Sequence, residues 1–319
     1  WNASYKSDEY NTNVVATSAT PFTDAVLKAY VVAHYDGHYD KDGDSEISEA
    51  EALLVTVIKA GGGYDTTAAQ SGTKTKIASF ADIANFPNLD TLDCSLDSLT
   101  SLDVSKNTKL TYLACYDNQL TSLDVSKNTK LTYLDCHNNQ LASLDVSKNT
   151  ELTVLYCAYD QLTSLDVSAN ASLATLFCYH NRLTSLDVSK NTKLMYLDCS
   201  LNSLTSVDVS KNTKLIQFSC HNHQLTSLDV SKNTMLETLY CNSNRLTRGD
   251  ARTMAVAEVY CGNQDIDGDG SPSTAETDTL FLTASQLTKW NASYKSDEYN
   301  TNVVATSPTP FTEPVRKTY

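Results

Sequence analysis

The chain has 319 residues and carries 38 acidic against 24 basic side chains, a formal charge of −14. It therefore lacks the excess of clustered cations that displaces counterions from a nucleic-acid backbone; the acidity suits solubility and cation binding instead. Hydrophobic residues make up 41% of the sequence, and no run of eighteen apolar residues occurs, so no membrane insertion is expected of this chain.

In chain order, residues 1–20 read as a tail, because their sequence recurs near the other end. Residues 21–88 read as an N-terminal cap. Helical patterning is expected over Thr23 to Tyr35 and again over Ser48 to Val57. Between them Asp40 to Glu51 reads D-K-D-G-D-S-E-I-S-E-A-E. This spacing resembles the twelve-residue EF-hand loop, and the resemblance implies a calcium site. Its ligands would be Asp40, Asp42, Asp44, the Glu46 main-chain carbonyl, Ser48 (directly or through water) and a bidentate Glu51. Ser45 departs from the pattern, since the sixth place needs a positive φ that glycine adopts most cheaply. The alternative is an acidic turn without metal. His34 and His38 are four apart and read as surface residues. Lys76 to Pro87 reads as an atypical starter rung.

Residues 89–262 repeat one 21-residue phrase, with units beginning at Leu89, Leu110, Leu131, Leu152, Leu173, Leu194, Leu215 and Leu236. The skeleton is L-x-x-L-x-C-x-x-N-x-L-x-x-L-D-V-S-x-N-x-x. A fixed period of this length implies a solenoid, because one unit cannot bury its own apolar edge and stacked units can. Leu and Cys at positions four and six alternate with variable residues at three, five and seven, which is the period of a strand. Equivalent strands of neighbouring rungs then form a parallel sheet.

The eight cysteines from Cys94 to Cys241 hold one slot, and Cys261 falls just short of where the next slot would lie. In-register rungs keep equivalent Cβ atoms ~4.8 Å apart, wider than the roughly 3.5–4.5 Å a disulfide requires, so free buried thiols are expected. The Asn slot holds Asn118, Asn139, Asn181, Asn202 and Asn244, but Asp97, Asp160 and His223 in other rungs. An amide can donate and accept where the strand turns, and a carboxylate does half of that, so the Asp rungs are expected to be looser. The Asp column from Asp103 to Asp229, beside a Lys column, reads as a solvated convex face or, alternatively, a cation-binding ladder.

The strand motif L-x-x-L-x-C-x-x-N-x-L is similar to that of leucine-rich repeats in a short bacterial form, with Cys in the third apolar place. The resemblance implies an α/β-type solenoid dominated by parallel β structure. The expected fold is a curved, right-handed leucine-rich-repeat array with small helical caps. It further implies an extracellular or cell-surface location and no enzymatic activity. Positions three, five and seven would face the concave side, where aromatic residues concentrate: Tyr112, Tyr116, Tyr133, His137, Tyr156, Phe177, Tyr179 and Tyr196. An exposed aromatic sheet face suits a protein or glycan partner. The competing reading is that tyrosine simply favours strands.

Residues 263–307 read as a C-terminal cap. Asp265 to Glu276, D-I-D-G-D-G-S-P-S-T-A-E, offers a second calcium loop with ligands Asp265, Asp267, Asp269, the Ser271 carbonyl, Ser273 and Glu276. A strand over Thr279 to Thr283 and a helix near Ala284 to Tyr294 should follow. Trp290 to Tyr319 then repeats Trp1 to Tyr30 nearly letter for letter, so 308–319 reads as the start of a following tandem unit. Two functions stay open: a calcium-stabilised adhesion or recognition module of a tandem surface protein, or a structural subunit of a head-to-tail filament, stalk or surface layer.

Overall fold

A computed structural model of the chain describes residues 22–33, 40, 45–62 and 76–246, with the backbone of 248–250, 258–260, 279–283 and 302–306. Ten short strands form one parallel sheet: β1 (Val57–Lys59), β2 (Thr91–Asp93), β3 (Tyr112–Ala114), β4 (Tyr133–Asp135), β5 (Val154–Tyr156), β6 (Thr175–Phe177), β7 (Tyr196–Asp198), β8 (Gln217–Ser219), β10 (Thr238–Tyr240) and β12 (Glu258–Tyr260). From β2 to β10 the register advances by one repeat per strand, as in Tyr112↔Tyr133 and Leu134↔Leu155. Across the solenoid, β9 (Ser227–Asp229) pairs in parallel with β11 (Arg248–Asp250). A separate parallel pair joins β13 (Thr279–Thr283) to β14 (Asn302–Thr306).

The core follows the repeat. In the third rung Leu131, Leu134, Cys136, Leu141 and Val146 are all fully buried, and Leu144 is nearly so. Complete burial of each such leucine or valine stabilises by about 1.5–3 kcal/mol, and every rung repeats the set. The second half of each unit is irregular. Its Asp column accepts the amide two residues on, as in Asp124 Oδ1 from the Ser126 amide at 2.8 Å. These bonds and the Ser126 hydroxyl hold the Asp124 carboxyl below its ordinary value. Local turn bonding thus accounts for the Asp column.

Two expectations for the cap change. The first helix, α1 (Ala25–Ala33), lies within the expected span. The second, α2 (Glu49–Ala52), stops after one turn instead of running to Val57, because Val57–Lys59 leaves the helix to pair with β2. The starter rung is correspondingly split. Its strand is β1, whereas Lys76 to Pro87 contains a 3-10 helix at Ala81–Asn85. Asn107 Nδ2 donates to the Ile83 and Phe86 carbonyls, as Asn128 Nδ2 donates to those of Val104 and Asn107. Residues around 83–86 therefore supply the outer half of the rung that β1 begins. Asp24 ties helix to rung: one carboxylate oxygen caps α1 through the Val26 and Leu27 amides, and the other accepts from Ala78 and Ser79.

The cysteine expectation holds for seven rungs, where Cys94 to Cys220 are buried and free. It fails at Cys241, which is disulfide-bonded. Strand β12 still stacks in register on β10, but the sequence between Cys241 and Cys261 is one residue short of the repeat and carries no copy of the D-V-S-x-N segment, so the free-thiol ladder ends where the regular unit does. The tail, the second calcium loop, the helix near Ala284 to Tyr294, His34, His38 and Cys261 lie outside the described residues.

Candidate functional site

Two buried amide ladders tie successive rungs together, one at the end of the strands and one in the outer half of the repeat. In the first, Asn139 Oδ1 accepts the Leu120 amide at 2.9 Å, while its Nδ2 donates to the Cys115 and Cys136 carbonyls at 3.0 and 2.9 Å. One side chain thus satisfies backbone groups in two rungs, as the sequence implied. The second ladder was legible only as an unexplained constant. Asn107, Asn128, Asn149, Asn170, Asn191, Asn212 and Asn233 are fully buried. Asn149 Nδ2, for example, donates to the Val125 and Asn128 carbonyls, each at 2.9 Å. The signal that could have found it was invariance of an amide at one repeat position.

On the rigid sheet these ladders create, the aromatic residues form a connected surface. Tyr112 stacks on Tyr133 at 4.3 Å, Tyr133 meets Tyr156 edge-on at 5.8 Å, and Tyr156 stacks on Phe177 at 5.0 Å. Phe177 reaches Tyr179 at 6.5 Å, Tyr179 meets Tyr159 at 5.2 Å, and Tyr159 lies 4.5 Å from His180. Tyr116 and His137 stack as a separate pair at 4.8 Å. Tyr196 is half-buried on β7, beside this group. Seven of the eight predicted face residues therefore join ring contacts. Tyr159 and His180 extend the network beyond them.

Carboxylates lie among these rings. Asp135 receives His137 Nδ1 at 2.6 Å and the Tyr133 hydroxyl at 3.3 Å. The Asp135 bond raises the His137 pKa. Burial, then the Asp135 charge, pushes the Tyr133 and Tyr156 hydroxyls up. Asp198 accepts the Ser200 amide at 3.0 Å, and burial raises its pKa. Asp93 lies beside the Gly61 turn: a Cβ on Gly61 would stand 2.6 Å from its Oδ1 and 2.5 Å from Ser95 Oγ, so a larger residue there would displace that hydrogen-bonded pair.

At the first acidic loop, the described residues are Asp40 and 45–51. Ser45 adopts φ 65°, and its amide donates to Asp40 Oδ2 at 3.0 Å. Ser48 caps α2, and the Glu51 carboxylate accepts the Ser48 amide and hydroxyl, both at 2.8 Å. Glu51 thus serves a capping box as well as any ligand role. The Glu46 side chain pairs with Lys28. Asp42 and Asp44 lie outside the described residues, and among those described no group of three or more His, Cys, Asp or Glu could hold a metal.

Residues 108–149 match the family described as leucine rich repeats, two copies. The chain folds as a leucine-rich-repeat solenoid. Among solved structures, a leucine-rich-repeat protein of Leptospira interrogans aligns with TM-score 0.52 and 24% identity over 55% of this chain and 48% of that one. The ectodomain of the Arabidopsis thaliana receptor kinase GASSHO1/SCHENGEN3, in complex with CASPARIAN STRIP INTEGRITY FACTOR 2, aligns with TM-score 0.54 and 18% identity over 66% of this chain and 26% of that one. The functional domain of InlJ from Listeria monocytogenes, described as including a cysteine ladder, shares 25% identity over 91% of this chain and 81% of its own, with TM-score 0.47. No curated protein matches the chain. Among the described residues, no helix is long and apolar enough to cross a membrane.

Proposed function

We propose that this chain is a non-enzymatic, extracellular interaction module that receives a protein partner on the concave face of its second to fifth rungs. The observation that carries this reading is the continuous aromatic network from Tyr112 to His180, held on a sheet whose rungs are locked by amide ladders. Large rigid rings with polar tips are the side chains that dominate protein interfaces. Strand propensity alone gives no reason for aromatics to be dense in rungs two to five and sparse elsewhere. The Arabidopsis ectodomain, bound to its factor, is an instance of a similar solenoid in complex. Replacing Tyr133, Tyr156 and Phe177 together by Ser should weaken any specific partner at least ~100-fold, since such anchors each contribute ~1 kcal/mol or more. Binders recovered from a protein array that hold the triple variant as tightly as the parent would sink the proposal, and binders found only on a glycan array would redirect it.

Calcium is proposed as the stabiliser of the N-terminal cap. The left-handed Ser45 and its bond to Asp40 support this reading, because the sixth place of the twelve-residue loop requires a positive φ. When bound, the ion would supply charge neutralisation among Asp40, Asp42, Asp44 and Glu51. The second loop, Asp265 to Glu276, is proposed on sequence alone.

A structural role in a tandem array is favoured by one separate observation. Strand β14, Asn-Val-Val-Ala-Thr, pairs with β13, and the same five letters recur at residues 13–17. A unit's closing strand is thus present twice, while Thr-Leu-Phe-Leu-Thr occurs once. Head-to-tail joining through such strands predicts concentration-dependent oligomers in light scattering with calcium present. A monomer across the whole accessible range would remove this reading.

A further inference from the structure

We propose that this chain joins a second copy of itself by strand exchange, residues 13–17 of one molecule replacing β14 on β13 of the next. This rests on the head-to-tail reading and supplies its joint. β14 pairs in parallel with β13 over five residues, from Thr279↔Asn302 to Thr283↔Thr306. Asn13 to Thr17 has the same five letters as Asn302 to Thr306, so it can form the same backbone ladder in the same register. Exchange of an identical element between two molecules costs little, because the contacts made equal those given up.

The two copies of this segment differ in one informative way. Trp1 to Ser18 matches Trp290 to Ser307 at every position, whereas the next twelve residues differ at five. Two of the five fall on contacts that build the N-terminal cap. Leu27, fully buried, is answered by Arg316. Asp24, whose carboxylate joins α1 to the Ala78 and Ser79 amides, is answered by Glu313. An arginine in the place of Leu27 would put a charge among fully buried apolar side chains, at a cost of several kcal/mol or more. The chain therefore carries the closing strand twice but a sequence suited to the cap once. The strand is what the two copies keep in common.

Distance decides which molecule supplies the strand. Phe22 packs its ring on Phe86 at 6.0 Å, and the Thr23 amide bonds Asp82 at 2.8 Å, so the chain is fixed to the front of the solenoid there. Thr17 lies five residues before Phe22 and reaches about 18 Å from it at most. β13 lies against β11, in the rung that begins at Leu236. That rung is eight steps from the one holding Phe86, so about 38 Å away at ~4.8 Å per step. Residues 13–17 cannot reach β13 of their own molecule. In a neighbour placed front to back nothing has to stretch, because residues 18–21 lead from the exchanged strand straight into the cap. The resident β14 competes with the incoming strand. It is tied to β13 by residues 284–301, and a short flexible connection holds its end at an effective concentration of about millimolar. Exchange is therefore weak in the dilute parent and strong once β14 is disabled.

The test uses the whole chain with calcium present, followed by light scattering. Val303→Pro with Val304→Pro removes two consecutive amides of β14, one of which faces β13. This variant should associate at a concentration at least ~10-fold below that of the parent. Adding Val14→Pro with Val15→Pro should return it to monomer. A synthetic peptide spanning Ser7 to Ser18 should bind the Val303→Pro, Val304→Pro variant at least ~10-fold tighter than the parent, where β14 occupies the same edge. Monomers of that variant up to millimolar concentration would overturn the proposal. So would equal association with and without the Val14 and Val15 changes, because a merely uncovered β13 would then be the cause, or equal peptide binding to variant and parent. Parent oligomers that neither proline pair alters would leave head-to-tail joining in place and remove strand exchange as its joint.

Discussion

At the scale of single residues, the rung tolerates amides and penalises their charged isosteres. Asp160 occupies an Asn slot. Its Oδ1 accepts the Leu141 amide at 2.9 Å, but its buried Oδ2 has no hydrogen-bond partner. An Asn there would donate to two Cys carbonyls, as Asn139 does. Asp97 is the same case. Burial lifts both carboxyls to about 7, which makes each a protonated stand-in for the amide in acid. The sign follows from proton counting. The unfolded chain releases these protons near pH 4 and the folded chain near 7, so between those values the native state holds more protons and stability falls as pH rises. Asp160→Asn should therefore raise the melting temperature at pH 8, by about 1–3 kcal/mol of stability, and lose that advantage near pH 4. An equal advantage at both pH values would show that protonation is not the cause. His223, whose ring nitrogens near the Asn202 and Cys199 carbonyls make no well-formed bond, is held neutral by burial. It contributes the opposite slope below about pH 6.5, so the comparison is between the parent and the single variant.

At the scale of the element, the strand of each of the eight rungs is followed, three residues on, by a left-handed residue at position eight. The eight are Leu96, Asp117, Asn138, Tyr159, His180, Leu201, Asn222 and Ser243, with φ between 52° and 64°. Asn and Asp accept this conformation readily, whereas a leucine pays about 1–2 kcal/mol for it. Leu201 is also 38% exposed, so it recovers little of that by burial. Leu201→Asn should stabilise by about 1 kcal/mol, read as a melting-temperature rise of a few degrees. A fall instead would mean that its contacts along the strand end outweigh the backbone strain. The strained position also aims Tyr159 and His180 at the aromatic network, so at those rungs the strain accompanies the candidate site.

At the scale of the molecule, stability resides in the stack and its ends. Inner rungs share two neighbours, while a terminal rung must be covered. The N-terminal cap supplies a helix, a strand and a 3-10 turn. The Lys59 amide bonds the buried Tyr30 hydroxyl at 2.9 Å, and Asp82 holds the Thr23 and Asp24 amides. If calcium completes this cap, a chelator should lower the melting temperature by several degrees, because an ion bound at 100 times its Kd stabilises by about 2.7 kcal/mol. An unchanged melting curve with and without chelator would remove calcium from the account. Asp40→Ala should give part of the same loss, the remainder belonging to the second loop.

The 21-residue period determined the solenoid, the parallel sheet, its register and the burial of Leu134 or Cys136, because a repeated local pattern admits only stacking as a way to bury its apolar edge. It also placed the aromatic residues on one face, since strand alternation is a local rule. What it left open were features made by residues distant in sequence. The strand of the starter rung lies far before its partner in the chain, Val57 against Thr91, and α2 yields to it after one turn. No periodicity links those segments. Nor does local pattern reveal that Asn149 bonds carbonyls of the preceding rung and the turn before it, that Cys241 leaves the free thiol ladder, or that Gly61 lies beside Asp93. The lateral row of Asp135, Tyr156, Phe177 and Asp198 is the same kind of fact. Each letter is variable in its own rung, and only the lateral pairing of four rungs makes them one surface. Sequence set what each rung is, and tertiary stacking decided what the rungs present together.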